Sequence, residues 1–358
     1  MTGERPQPRH AVLSWLPLIT MSAVALVDLV AGPSVGLLPL VSLGPAFSGL
    51  VGGWRRTALV GGLALLLCLA LGMYDGLFAE RRGFTAMASV AGVTGAGIAA
   101  AVMRGRREAE LAGVRSIAEV AQRVLLRPVP LNVGSLRMAV SYTSAVAEAH
   151  IGGDLYEVVA TPRGARLIVG DVQGKGLAAV ETAAVVLGAF REAAHDEPDL
   201  GGVGARLERS VGREGDGEKF VTAILAEVRS DHQVVFLNYG HPPPLVMRRD
   251  GSLDFPEPAE YALPLGLAVH GGPEAKPFTV RFAPGDQLLL YTDGVTETRD
   301  ARGDFYPLPD RAVLLKEPDA RQALERLRDD LIRYAEGPLH DDAAMLLVRY
   351  REHSEGAA

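Results

Sequence analysis

Five aspartates pose the chemical question. Asp171 stands in LIVGDVQGKGLAAV (167–180), where an apolar run ends and a glycine turn begins. Asp154 in HIGGDLYE, Asp293 in LLLYTDGV and the pair Asp341–Asp342 in LHDDAAMLLV are placed alike, at strand ends beside glycine or a second acid. A buried carboxylate without partners costs several kcal/mol. Carboxylates that converge also repel one another, so a divalent cation is their natural counter-charge. Oxygen donors without a cysteine set favour Mg2+ or Mn2+ over Ca2+ or zinc. Two such ions close together acidify a water and clamp a phosphoryl oxygen. The predicted chemistry is hydrolysis of a phosphate monoester by direct attack of water, with no Ser, Cys or His nucleophile. Taken alone, Asp154 or Asp293 reads as a turn former. Gly174-x-Gly176 alone reads as a loop, too short for a Walker A loop. The four positions together carry the reading.

The elements that must position these acids follow from periodicity. The stretches 138–149, DLYEVVAT, ARLIVGDV, FVTAILAEVRS, HQVVFLNYG, PPPLVMRR, TVRFAPGDQLLLYTDGV and AAMLLVRY predict strands, with Pro284-Gly285-Asp286 splitting one pair. Residues 176–195 and 321–337 predict helices, and GGVGARLERSVGRE a weaker one. Two sets of strands with helices packed outside predict an α+β β-sandwich flanked by helices over 131–352, followed by a disordered tail at 353–358.

Residues 1–103 differ in kind. They hold almost no acid beyond Glu4, Asp28, Asp75 and Glu80, while the whole chain carries a net charge of −7. Apolar stretches at 11–32, 34–53, 57–79 and 84–103 each approach the ~20 residues that cross a bilayer. They predict an N-terminal four-helix transmembrane region. Arg5 and Arg9, Arg55 and Arg56, and Arg104, Arg106 and Arg107 fall on one side of that count, which predicts a multi-pass protein of the cell membrane with a cytoplasmic catalytic domain. Arg81 and Arg82 oppose this, offset by Asp75 and Glu80. Ala88, Gly92, Ala96 and Ala100 form a stripe of small residues that either lets helices approach or reflects plain Ala/Gly richness. Asp28 lies near a span's end and is expected at the interface. The single cysteine, Cys68, excludes a disulfide framework, and no basic stripe with interleaved aromatics marks a nucleic-acid binder.

Between these halves, 104–130 predicts a linker helix ended by Pro128 and Pro130. Leu111, Val114, Ile117, Val120, Val124 and Leu125 recur at helical steps, an apolar stripe suited to pairing with a second copy.

The set of motifs resembles the metal-dependent PPM serine/threonine phosphatases, in their SpoIIE/RsbU-like bacterial branch. The matching pieces are AEVAQRVLLRPVP, HIGGDLYEV, VGDVQGKGLAAV, KFVTAILAEV, LNYGHPPPLVMRRDG, LPLGL, PGDQLLLYTDGVTETRD and HDDAAMLLVRY, over roughly 117–350. The resemblance implies two Mn2+ or Mg2+ ions. It makes Asp171 the carboxylate bridging both, with the Val172 carbonyl as a further ligand and Asp171 and Asp293 as the catalytic pair. It makes Asp293 and Asp341 ligands of one ion, and Asp154 a ligand of the other, directly or through water. Asp341 is preferred to Asp342 because the family's pattern puts the ligand first. Two departures stand out. Ala343-Ala344 replace the usual Thr or Ser, which predicts weaker metal affinity, and Tyr239 replaces a smaller residue.

His241 reads as a structural histidine in a GHPPP turn, with proton donation to the leaving group as its alternative role. His340 is a second candidate for that role. Lys175 reads either as a phosphate contact or as a solvated turn residue. The function implied is a membrane-anchored protein-serine/threonine phosphatase acting on a phosphorylated regulatory protein, such as an anti-sigma-factor antagonist, with a possible homodimer through the linker. The alternative is a catalytically weak sensor or docking protein of the same fold. A small transporter is disfavoured because the spans lack buried polar groups.

Overall fold

The computed structural model describes residues 8–31, 36–79, 81–144, 152–214 and 219–351. Two compact units divide the chain, 1–113 and 114–358.

The first unit is helical: α1 (Pro8–Ala31), α2 (Leu43–Val51), α3 (Trp54–Tyr74) and the first part of α4 (Arg81–Leu125). Only α3 and α4, among the described residues, are long and apolar enough to cross a membrane. The four-helix transmembrane expectation is corrected at its second stretch. There a 3-10 turn at Leu38–Ser42 precedes the nine-residue α2, and the helical run Leu38–Val51 is short of a spanning length. Pro39 and Pro45 each remove a backbone donor, which favours this broken geometry over one regular helix.

Asp28 is also a correction. It is 3% exposed, beside the Leu37 backbone and the Asp75 carboxyl, rather than at an interface. The stripe Ala88, Gly92, Ala96 and Ala100 faces outward. Close helix approach instead uses Gly97, whose backbone meets Gly49, and Thr94, which fills the space above Gly61. No break separates the fourth apolar stretch from the linker; α4 runs through both for 45 residues.

The second unit is a four-layer sandwich. Its strands are β1 (Asn132–Val133), β2 (Leu136–Thr143), β3 (Leu155–Thr161), β4 (Gly164–Val172), β5 (Val221–Arg229), β6 (Gln233–Tyr239), β7 (Leu245–Met247), β8 (Leu253–Asp254), β9 (Phe278–Arg281), β10 (Gln287–Tyr291) and β11 (Ala343–Tyr350). One sheet has the order β1-β2-β11-β10-β7-β8 and the other β3-β4-β5-β6-β9, with antiparallel pairing throughout. The strand expected over 138–149 stops at Thr143; residues 145–149 lie outside those described, as does the tail 353–358.

Strand periodicity explains the layers. Successive side chains point to opposite faces. In β10, Leu288 and Leu290 enter the core between the sheets, while Leu289 and Tyr291 face a helix layer. In β11, Leu346 and Val348 point inward, and Met345 and Leu347 outward. Both faces of these strands are covered, so they read as unbroken apolar runs. The outer layers are α5 (Leu177–Asp196) with α6 (Leu200–Glu214) over the five-stranded sheet, and α9 (Ala320–Tyr334) over the six-stranded one. The short helices α7 (Asp293–Thr296) and α8 (Leu308–Arg311) contribute Val295 and Leu308 to the same apolar cluster beneath α9.

Candidate active site

The predicted acids meet at one end of the two sheets. Asp171 is the penultimate residue of β4 and pairs in register with Thr222 of β5. The chain leaves β4 through Gly174 and Gly176, at φ +96° and +81°, a region that L side chains rarely adopt. Asp293 opens α7 one residue after β10, with Thr292 between, and Asp341–Asp342 immediately precede β11, the partner strand of β10. Asp154 directly precedes β3.

Three glycines explain how these segments come so close. Gly153 lies against the Val172 carbonyl and the Asp171 carboxylate, leaving no room for a Cβ. Gly152 lies in the same way against the Asp342 carboxylate, and Gly294 against the Asp342 carbonyl. Each therefore marks a contact with another acid-bearing segment.

Electrostatics record the crowding. Burial, with the neighbouring Asp293, Asp341 and Asp342, pushes the Asp171 carboxyl up to about 7, and Lys175 partly opposes the shift. Burial, then the charges of Asp171, Asp342 and Asp293, push the Asp154 carboxyl well above the usual carboxylate range, opposed by the Thr292 hydrogen bond. Burial, Glu297 and Asp341 raise Asp293. These are mutually repelling neighbours. Among the described residues, no three His, Cys, Asp or Glu side chains are drawn together as a ready-made metal cage. The donors offered are carboxylate oxygens with a main-chain carbonyl beside them, and their repulsion is what a bound hard cation relieves. The residues present therefore fit divalent Mg2+ or Mn2+.

The two acids of the last motif differ. Asp342 is 2% exposed and accepts a hydrogen bond from the Tyr142 hydroxyl. Asp341 is exposed; its Oδ1 accepts from the Asp342 backbone N–H at 3.0 Å and pairs with Lys175 Nζ at 3.2 Å. Ala343 packs in the apolar cluster beneath α9 and Ala344 in the cluster between the sheets. A hydroxyl at either position would enter apolar surroundings.

Sequence reasoning missed Thr292. It is fully buried, and its hydroxyl donates to Asp154 Oδ2 at 2.7 Å while accepting from the Ala344 N–H at 2.9 Å. It thereby ties Asp154 to β10 and β11. Its place directly before Asp293 was visible in the sequence, but its partner 138 residues away was not.

His241 is buried between the sheets. Its Nε2 faces the Tyr291 carbonyl at 3.0 Å and so carries the proton; its Nδ1 accepts from Thr222 Oγ1 at 3.1 Å. Burial pushes its pKa down to about 4. Both ring nitrogens are engaged, which is a structural arrangement. The bond links the residue next to the Asp293 turn with the residue paired to Asp171. His340 is exposed. Tyr239 fills the space over Gly204 of α6.

A two-sheet sandwich flanked by helices, with acidic strand ends gathered at one edge, is the architecture of the metal-dependent PPM phosphoprotein phosphatases. The family description Stage II sporulation protein E (SpoIIE) matches residues 161–351, more than half of the chain. The chain belongs to that family. Phosphoserine phosphatase RsbU of Bacillus subtilis (strain 168) is 26% identical over 259 residues, covering 69% of this chain and 72% of the relative. The RsbU and RsbW domains of Rv1364c from Mycobacterium tuberculosis superpose with a TM-score of 0.52 at 25% identity; the match covers 63% of this chain and 61% of that one. The SiaA-PP2C domain of Pseudomonas aeruginosa shares the fold, with a TM-score of 0.56 at 19% identity over 68% of this chain and 98% of that one.

Proposed function

We propose that this protein is a membrane-anchored phosphatase that removes phosphate from phosphoserine or phosphothreonine on a regulatory protein, with two Mn2+ or Mg2+ ions at the acidic edge. The observation that carries the reading is the convergence of Asp154, Asp171, Asp293 and Asp341, with each of the first three pushed upward first by burial and then by its acidic neighbours. When bound, the ions supply an acidified water and neutralise phosphoryl charge. Asp171 is assigned to both ions, with the Val172 carbonyl beside it. Asp293 and Asp341 are assigned to one ion and Asp154 to the other. Asp341 is favoured over Asp342 because it stands exposed beside Lys175, whereas Asp342 is buried under Tyr142. Thr292 holds Asp154, and Lys175 supplies positive charge at the rim.

Similarity to a named phosphoserine phosphatase and to a chain with RsbU and RsbW domains supports a regulatory phosphoprotein, such as an anti-sigma-factor antagonist, as substrate. The apolar α3 and α4, with Arg55 and Arg56 at the start of α3 and Arg104, Arg106 and Arg107 after the apolar part of α4, support anchoring in the cell membrane. The weak-docking alternative drew its support from Ala343-Ala344. Ala343 and Ala344 lie in apolar clusters, and all the carboxylates assigned to the ions are present, which favours the phosphatase over that alternative.

The test uses the full chain in detergent micelles with p-nitrophenyl phosphate and a phosphoserine peptide. Mn2+-dependent turnover is expected, with a fall of at least about 100-fold in Asp171→Asn and in Asp293→Asn while circular dichroism is unchanged. Turnover that persists in either variant, or in excess chelator, removes the proposed site.

A further inference from the structure

The end of α4 reaches the acidic edge directly. Gln122 is 9% exposed, and its Nε2 donates to Tyr142 Oη at 2.8 Å and to the Gly152 carbonyl at 3.2 Å. Both amide hydrogens are then used. The Tyr142 hydroxyl accepts from Gln122 and donates to Asp342. Gly152 lies against that same carboxylate, two residues before Asp154. One helix side chain thus touches both segments that enclose Asp342. Burial and Asp342 itself raise the Tyr142 pKa, so the hydroxyl keeps the proton that it donates.

The helix end is held by independent contacts. Arg191 of α5 donates from Nη2 to the Leu125 carbonyl at 2.8 Å, and its Nε pairs with Glu157 of β3 at 2.5 Å. Cations at helix C-termini satisfy carbonyls that have no helical partner. Ala118 packs against Val180 of α5. A cavity of about 360 Å3 bordered by Glu119, Gln122, Tyr142 and Tyr156 opens beside the relay.

We propose that Tyr142 and Gln122 are positioning residues for the divalent-cation site. Tyr142 fixes Asp342, and through it the backbone of Asp341. Gln122 fixes Tyr142 and the Gly152–Asp154 segment, so cation affinity depends on how the end of α4 is seated. The proposal rests on the metal-site reading given above, and its test separates the two.

The measurement is Mn2+ binding to the full chain in micelles, followed by the electron paramagnetic resonance signal of free Mn2+, alongside melting in chelator. Wild type, Tyr142→Phe, Gln122→Met and Asp171→Asn are compared. Tyr142→Phe is expected to weaken Mn2+ binding by roughly 10- to 100-fold, and Gln122→Met by roughly three- to tenfold. The chelator melt of each is expected to stay near that of wild type, and saturating Mn2+ is expected to restore turnover. A purely structural role would instead lower the melt and leave the affinity of the folded fraction unchanged. If both variants bind Mn2+ as wild type does while Asp171→Asn does not, the relay is overturned and the metal site stands. If wild type binds no Mn2+, both fall. Should Tyr142→Phe fail to fold, Gln122→Met decides alone, since its similar length keeps the packing of α4.

Discussion

Adjacent residues of one type do different work at the acidic edge. Asp341 and Asp342 are indistinguishable by composition, yet one is exposed beside Lys175 and the other is buried beneath Tyr142. Their partners mark the difference: Asp342 accepts from the Tyr142 hydroxyl, while Asp341 pairs with the half-exposed Lys175. Asp171 gives a pH prediction. Its carboxyl is pushed up to about 7 from an ordinary 3.8, so the metal-free fold favours its protonated form. The contribution to stability is fully present below about pH 4 and is lost as pH rises through about 7. In chelator, Asp171→Asn is therefore expected to melt higher than wild type at pH 8, and the gap should close as pH falls toward 4. Thermal melts across that range check it; a gap independent of pH contradicts the crowding. Added Mn2+ should reverse the order at pH 8, since only wild type can bind it well.

Among elements, the long helix α4 is the most consequential. Its linker part presents two faces. Ala118 and Gln122 turn toward the sandwich, while Leu111, Ile117, Val120 and Val124 are exposed. An uncovered apolar row of this kind supports pairing with a second copy, where each buried valine contributes roughly 1.5–3 kcal/mol. The double variant Val120→Glu, Val124→Glu is expected to convert a dimer to a monomer in sedimentation of the full chain in micelles, and to change Mn2+-dependent turnover with it. A monomer both before and after substitution ends the dimer proposal. The two faces are independent. Loss of pairing acts from the exposed side, whereas Gln122→Met acts from the covered side. Agreement between their effects on Mn2+ affinity would join self-association to the seating of the helix end.

At the scale of the whole molecule, charge and hydropathy divide the chain. Arg55 and Arg56 lie at the start of α3, and Arg104, Arg106 and Arg107 follow the apolar part of α4. Under the proposed anchoring α3 and α4 would each cross once, which puts these groups on one side whatever the broken stretch before them does. In a Cys68→Ala background, Gly53→Cys is expected to resist a membrane-impermeant maleimide in intact cells. Asp75→Cys is expected to react. The reverse pattern would put the acidic edge on the wrong side for a cytosolic phosphoprotein.

How much was legible in advance follows from what each feature depends on. The sandwich strands, the glycine turn at 174–176, the five aspartates and the apolar character of α3 depend on properties of single residues or short windows: side-chain period, tolerance of positive φ, donor type and transfer energy. The sequence by itself therefore determined the fold class and the acids available for chemistry. It did not determine that 34–53 is broken, that Asp28 is buried, or that Asp342 and not Asp341 is the covered member of its pair. Nor did it reveal Thr292 as the holder of Asp154, or Tyr142 and Gln122 as neighbours of Asp342. Those pairs join segments up to 200 residues apart. Only sheet register and the seating of α4 bring them within hydrogen-bond reach, because a contact between distant residues is a property of packing and has no local signature.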